Sequence, residues 1–190
     1  MPRSATYRPT PADLAAAAGT TIPDVLAPGL RVLFCGINPG LWSGATGFHF
    51  ARPGNRFWPA LFRSGFTPRQ FRPDEEDQLL ELGLGITNVV ARTTAKADEL
   101  TAQELRDGGR ILDERVQRYR PRILAVLGLG AYRTAFGRPR TTVGRQPDML
   151  GDTAIWVLPN PSGLNAHYTV DALADEFRTL RTEAERLSGR

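Results

Sequence analysis

The chain has 190 residues, 41% of them hydrophobic and 23% charged, which is enough to bury one sizeable core and does not call for a second domain. Its one cysteine, Cys35, lies inside an apolar run; a lone buried thiol excludes disulfides, an iron–sulfur cluster and any cysteine-rich zinc site. The formal charge of +4 is compatible with nucleic acid, and the basic residues are all arginine except Lys96, a bias that suits phosphate contacts or reflects a GC-rich genome. With no basic-then-apolar leader and no apolar run of bilayer length, the expectation is a soluble, cytoplasmic protein without a membrane partner.

In chain order, Thr10-Pro11-Ala12-Asp13 supplies a cap, a proline and a first-turn acid, and predicts a short helix through the alanine run. RVLFCGI (31–37) reads as a buried strand, and the glycine-rich loop behind it is expected to continue without a helix. Helices are expected over 55–63, with Phe57, Leu61 and Phe62 turned inward, and over 74–82, followed by a strand over 86–90. Thr101 and Glu104 form a capping-box pair opening a helix to about Tyr119, in which Gly108 and Gly109 mark a bend or a close packing contact. A strand over 122–127, a short helix over 130–136, an irregular Gly/Pro-rich stretch and a strand over 154–158 come next. Thr169 opens the closing helix, where Val170, Leu173, Phe177 and Leu180 recur at helical spacing. Alternating strands and helices imply an α/β fold with a parallel sheet covered on both faces.

Two segments carry the chemistry: GINPGLWSGATGFHF (36–50) directly after RVLFC, and NPSGLNAHY (160–168) directly after AIWVLP. Open α/β sheets bind ligands at the carboxyl ends of their strands, so the two belong to one site. The first contains neither GxGxxG nor GxxxxGK[ST], which argues against a dinucleotide or phosphate cradle. Asn38-Pro39 sets an amide at the strand tip, suited to holding water or to completing a turn. Phe48 and Phe50 offer flat apolar faces for a flipped base, or for ordinary packing. His49 reads as a loop hydrogen-bonding residue, because His167 is the only other imidazole and no metal-ligand spacing accompanies it. Ser162 lacks a GxSxG elbow and is not read as a nucleophile. Leu164 follows Gly163 on a tight loop, either as a wedge entering a base stack or as an anchor for the closing helix.

Five ordered landmarks, GINPG, PGNRFW (53–58), GITNVVARTT (85–94), LRDGGRIL (105–112) and NPSGL, together resemble the mismatch-specific uracil/thymine DNA glycosylase family of the uracil-DNA glycosylase superfamily. The likeness runs over about 31–180; the first thirty residues are expected to pack as an extension on a single domain spanning 1–190. The resemblance implies a three-layer αβα sandwich with a central, mainly parallel sheet of four to five strands. It implies a cofactor-free, metal-free enzyme that flips uracil or a related damaged pyrimidine from double-stranded DNA, especially opposite guanine, and hydrolyses its N-glycosidic bond in base excision repair. By position, Asn38 would hold the hydrolytic water and Phe50 would stack on the base. Ile37 and Phe48 would line the pocket through backbone contacts, with Gly40 beside them and Ser43 near the pyrimidine 5-position. Asn160 would face the leaving group, Asn88 would be a supporting polar residue, and Gly163, Leu164 and Asn165 would form the wedge loop.

The most efficient uracil-specific relatives carry an aspartate in the first motif and a histidine in the second, where this chain has Asn38 and Asn160. A neutral amide orients water but is a poor base, so a slow enzyme that favours good leaving groups is expected, and a carboxylate outside the motifs becomes a candidate helper. Asp98, with Glu99 behind it, follows the second expected strand on the same sheet edge; a solvent-facing acid near a helix start is the plainer account. With only Lys96 or the terminal amine available for a Schiff base, a monofunctional enzyme is expected, and a monomer. Two other classes compete: a protein that flips and holds damaged bases without hydrolysis, and a nucleotide-binding α/β hydrolase, which would need phosphate or metal ligands at its strand ends.

Overall fold

A computed structural model describes residues 7–189. Strands β1 (Val32–Gly36), β2 (Leu84–Asn88), β3 (Ile123–Leu127) and β5 (Thr153–Leu158) are buried at every position. Such continuous burial belongs to a parallel sheet covered on both sides. The order is β2-β1-β3-β5-β4, with Phe34 of β1 opposite Ile86 of β2 and Ala125 of β3. Only β4 (Gly144–Leu150) is antiparallel, pairing with β5 at the edge with an irregularity between Arg145 and Met149.

Because side chains alternate along a strand, each strand feeds both cores. Phe34, Ile86, Ala125 and Trp156 pack with Phe57 and Leu61 of α3 (Phe57–Arg63) and Leu173, Phe177 and Leu180 of α6 (Val170–Ser188). On the other face Leu33, Cys35, Leu124 and Val157 meet Leu112 and Val116 of α4 (Ala102–Tyr119) and Tyr132 of α5 (Leu129–Phe136). The result is the expected three-layer αβα sandwich with a mainly parallel sheet of five strands. Cys35 is buried among these aliphatic groups, and burial pushes its thiol pKa up. Gly108 and Gly109 serve close packing: a Cβ on the first would stand 2.3 Å from the Val89 carbonyl oxygen, and on the second 2.6 Å from that of Ala135.

The N-terminal segment packs against the sheet and the β2 loop. Thr10 and Asp13 cap α1 (Pro11–Ala16) reciprocally, as their order predicts. Beyond it, Gly19 N–H donates to Thr93 O at 2.9 Å, Thr93 N–H to Thr20 O at 2.8 Å, and Val25 bridges Ile86. Residues 1–6, with the terminal amine and the start of the expected extension, lie outside the described residues. Among the described residues no helix is long and apolar enough to cross a membrane.

Six expectations are corrected. The stretch read as irregular contains β4, whose Arg145 and Pro147 obscure an edge strand that is buried only in part. A helix does form within the first motif: α2 (Leu41–Thr46), which Gly40 opens without a side-chain cap and Gly47 closes in the left-handed region. Pro73–Leu82 is a 3₁₀ helix rather than an α-helix. Helix α3 begins at Phe57, and Phe62 turns outward at 40% exposure instead of joining the core. Strand β2 starts and ends two residues earlier than its apolar run suggests, which puts Asn88 at its tip.

Candidate active site

A cleft of about 630 Å³ opens at the carboxyl ends of the parallel strands. Leu127 of β3 contributes to its floor; the first motif lines one wall, and Asn160, Pro161, Ser162, Leu164 and Asn165 line the other. Two segments more than a hundred residues apart in sequence thus form one site because β1 and β5 flank β3 in parallel register.

Asn38 is held in a single sense. Its Nδ2 donates to the Arg92 carbonyl at 2.8 Å and to Thr94 Oγ1 at 2.7 Å, with a longer contact to Pro39 O at 3.3 Å. Thr94 Oγ1 spends its own proton on Lys96 O at 2.8 Å, so it can only accept from Asn38. The nitrogen is therefore fixed toward the loop, and no donor among the described residues reaches Oδ1, the acceptor left for the cleft. A parallel bridge between Gly40 and Thr94 ties the two loops together.

Asn160 is held in the opposite sense. Its Oδ1 accepts from Ser162 N–H at 3.0 Å in an Asx turn, and its carbonyl accepts from Asn165 Nδ2 at 3.0 Å. Its own Nδ2 has no acceptor among the described residues. One wall thus presents an amide oxygen and the other an amide nitrogen.

A buried relay shapes the inner end. His49 Nε2 lies 2.9 Å from the Pro23 carbonyl, an obligatory acceptor, so Nε2 carries the proton and Nδ1 accepts from Asn88 Nδ2 at 3.3 Å. Burial lowers the His49 pKa and keeps the imidazole neutral. Asn88 Oδ1 is then turned toward Gly36, where a Cβ would come within 2.6 Å of it and 3.4 Å of the Phe50 ring, so only glycine fits. Phe50 adopts φ of +52°, a region bulky residues avoid, while its ring stacks on Phe57 with centroids 4.1 Å apart. Glu76 accepts from His49 N–H at 2.7 Å, and burial raises its carboxyl to about 8.

Of the residues expected at the site, Ile37, Asn38, Gly40, Ser43, Phe50, Asn88, Asp98, Asn160, Leu164 and Asn165 all line the cleft. Phe48 and Gly163 do not: Phe48 lies half-buried beside the cleft, and Gly163 packs against Gly54. Leu164 is 67% exposed, so it does not anchor α6. Asp98 is exposed in the short 3₁₀ turn Ala97–Glu99, whereas Glu99 Oε1 is occupied by Lys96 N–H at 2.9 Å. Sequence reasoning missed Thr94 as the residue that orients Asn38, and Arg52 and Asn55 as cleft residues. The threonine pair at the end of GITNVVARTT was the available signal for the first. Among the described residues no cluster of three or more His, Cys, Asp or Glu side chains is placed to hold a metal ion.

An αβα sheet with two asparagine-bearing loops at the ends of β1 and β5, on either side of β3, defines a small-ligand site of the open α/β type. The model of the uracil DNA glycosylase superfamily matches residues 23–183, and the chain belongs to that superfamily. Membership makes it a DNA glycosylase acting on uracil, a hydrolase of N-glycosyl bonds whose partner is DNA. The match begins before the first landmark and takes in the Pro23 carbonyl that fixes the His49 tautomer.

Proposed function

We propose that the chain is a monofunctional, mismatch-directed uracil-DNA glycosylase that extrudes uracil paired with guanine from duplex DNA and hydrolyses its glycosidic bond by a base-poor mechanism. The observation that carries this reading is the opposed polarity of the two amides, Asn38 Oδ1 and Asn160 Nδ2, on the two walls of one cleft. A flipped pyrimidine stacks on the free face of Phe50, and Asn88 Oδ1 accepts from its ring N–H. As the bond from the sugar C1′ to the base nitrogen breaks, its electron pair leaves with the base. Asn160 Nδ2 donates to the oxygen on which negative charge grows. Water held by Asn38 Oδ1 adds to C1′ and loses a proton.

Among the described residues Asp98 is the one carboxylate lining the cleft, and it takes that proton or stabilises the cationic sugar. Leu164, exposed at the mouth, enters the stack vacated by the extruded base. Ser43, 4% exposed with its Oγ accepting from Ala51 N–H at 3.4 Å, bounds the 5-position.

Single-turnover release from oligonucleotides carrying uracil opposite guanine, opposite adenine and in a single strand tests the reading, with Asn38→Ala alongside. Release from the guanine mismatch that is fastest of the three and lost in the variant is the expected result. Equal release from all three removes the mismatch preference; tight binding without release favours a protein that only holds flipped bases.

A further inference from the structure

Arg56 takes no part in the chemistry above, yet the hydrogen bonds it donates all run to one place. Its Nη1 donates to Asn165 O at 2.6 Å and to Ser162 O at 3.4 Å, its Nη2 to Gly163 O at 3.5 Å, and its backbone N–H to Pro161 O at 2.9 Å. Four carbonyls of the NPSGLN loop therefore converge on one residue. Beside them a Cβ on Gly163 would stand 2.7 Å from Gly54 O, so the two backbones touch. No carboxylate among the described residues pairs with the guanidinium, half-buried under the loop. Its positive charge is matched by carbonyl dipoles alone, an arrangement a planar fork makes and a single ammonium does not.

The other end of the residue matters equally. Arg56 is the N-cap of α3, and the next residue, Phe57, carries the Phe50 ring at 4.1 Å. Base platform and loop are thus joined through two consecutive residues. With its carbonyls drawn inward, the loop turns out the Leu164 side chain, and Leu164 N–H closes on Ser162 Oγ at 3.3 Å.

We infer that Arg56 is the positioning residue of the wedge: it clamps the NPSGLN loop to the N-terminus of α3 so that insertion of Leu164 and stacking of the extruded base on Phe50 occur as one event. This rests on the reading of Leu164 as a wedge. Without the clamp the loop is still present, but Leu164 loses a fixed base to push from.

The experiment is a double-mutant cycle of Arg56→Ala and Leu164→Ala on a uracil–guanine duplex with 2-aminopurine beside the uracil, read by fluorescence for unstacking and by single-turnover release for cleavage. The expected result is that each variant slows unstacking at least about tenfold and that the double variant is no slower than the slower single. Arg56→Lys, which keeps the charge but not the fork, should stay near Arg56→Ala; calorimetric melts establish that the variants are folded. Multiplying effects, native unstacking in Arg56→Ala, or full rescue by lysine overturns the inference, and lysine alone decides it if the alanine variant does not fold. Unstacking without release in the native protein would sink the hydrolytic reading and leave the clamp standing; neither signal would sink both.

Discussion

Replacing Asn38 with aspartate tests the amide orientation directly. The new oxygen would stand where Nδ2 now lies, 2.8 Å from Arg92 O and 2.7 Å from Thr94 Oγ1. Thr94 can swing its proton from Lys96 O to the carboxylate, but the Arg92 carbonyl has none to give. Leaving that acceptor against a negative oxygen costs about 1–3 kcal/mol, which in a chain of this size lowers Tm by roughly 2–12 °C. Protonation relieves the clash by letting the carboxyl donate to Arg92 O, so folding raises the pKa of the new group. The deficit is therefore smallest below the ordinary aspartate range and grows as pH rises through the raised value. The same proton withholds, below the raised value, the gain on the order of 10²-fold that a positioned base supplies, so stability and that gain change in opposite senses with pH. Calorimetry from acid to alkaline pH, with single-turnover uracil release at each, measures both. A variant that melts with the native protein at neutral pH and releases uracil faster than it would refute the geometry argued for Asn38.

Glu76 makes native stability pH-dependent: with its carboxyl raised to about 8, the contribution of the neutral form is complete below its ordinary pKa of 4.5 and is lost as pH rises through about 8. Glu76→Gln, which keeps an acceptor for His49 N–H, should flatten that decline, worth at most about 5 kcal/mol; melting curves that fall equally with pH in both proteins contradict it. Gly108→Ala should cost about 3 kcal/mol or more by driving a methyl into the Val89 carbonyl, read by denaturant midpoint; an unchanged midpoint would show that α4 can shift at no cost. Asp98→Ala should slow single-turnover release without altering Tm, and unchanged release where Asn38→Ala is inactive removes Asp98 from the mechanism. Although Lys96 lines the cleft, borohydride should trap no covalent protein–DNA species; a trapped species lost in Lys96→Ala would make the enzyme bifunctional.

The core strands were legible because burial on both faces demands unbroken apolar runs, and helices α1, α4 and α6 because Thr10, Thr101 and Thr169 cap them by local side-chain bonds. Elements held by tertiary contacts were not. Helix α2 has no side-chain cap and rests against α1 and the Thr94 loop, and β4 gains its structure from a single neighbour. At the site, motifs named residues without their orientation. The sense of the Asn38 amide depends on partners more than fifty positions away, and Arg56 meets its carbonyls across more than a hundred. No local pattern encodes either.

The sheet order has one further effect. With β3 between them, the strands that carry the two asparagine loops lie two strand spacings apart, roughly 10 Å. That separation is set by backbone hydrogen bonding, as constant as the rungs of a ladder, and substitutions in the loops cannot widen it. Adaptation to bulkier bases is therefore directed outward along α2 past Trp42 and Ser43, where a helix and not a strand of the sheet bounds the cleft. In directed evolution of this scaffold, gains in substrate range should accumulate on that helix, while changes at the strand tips register as lost stability.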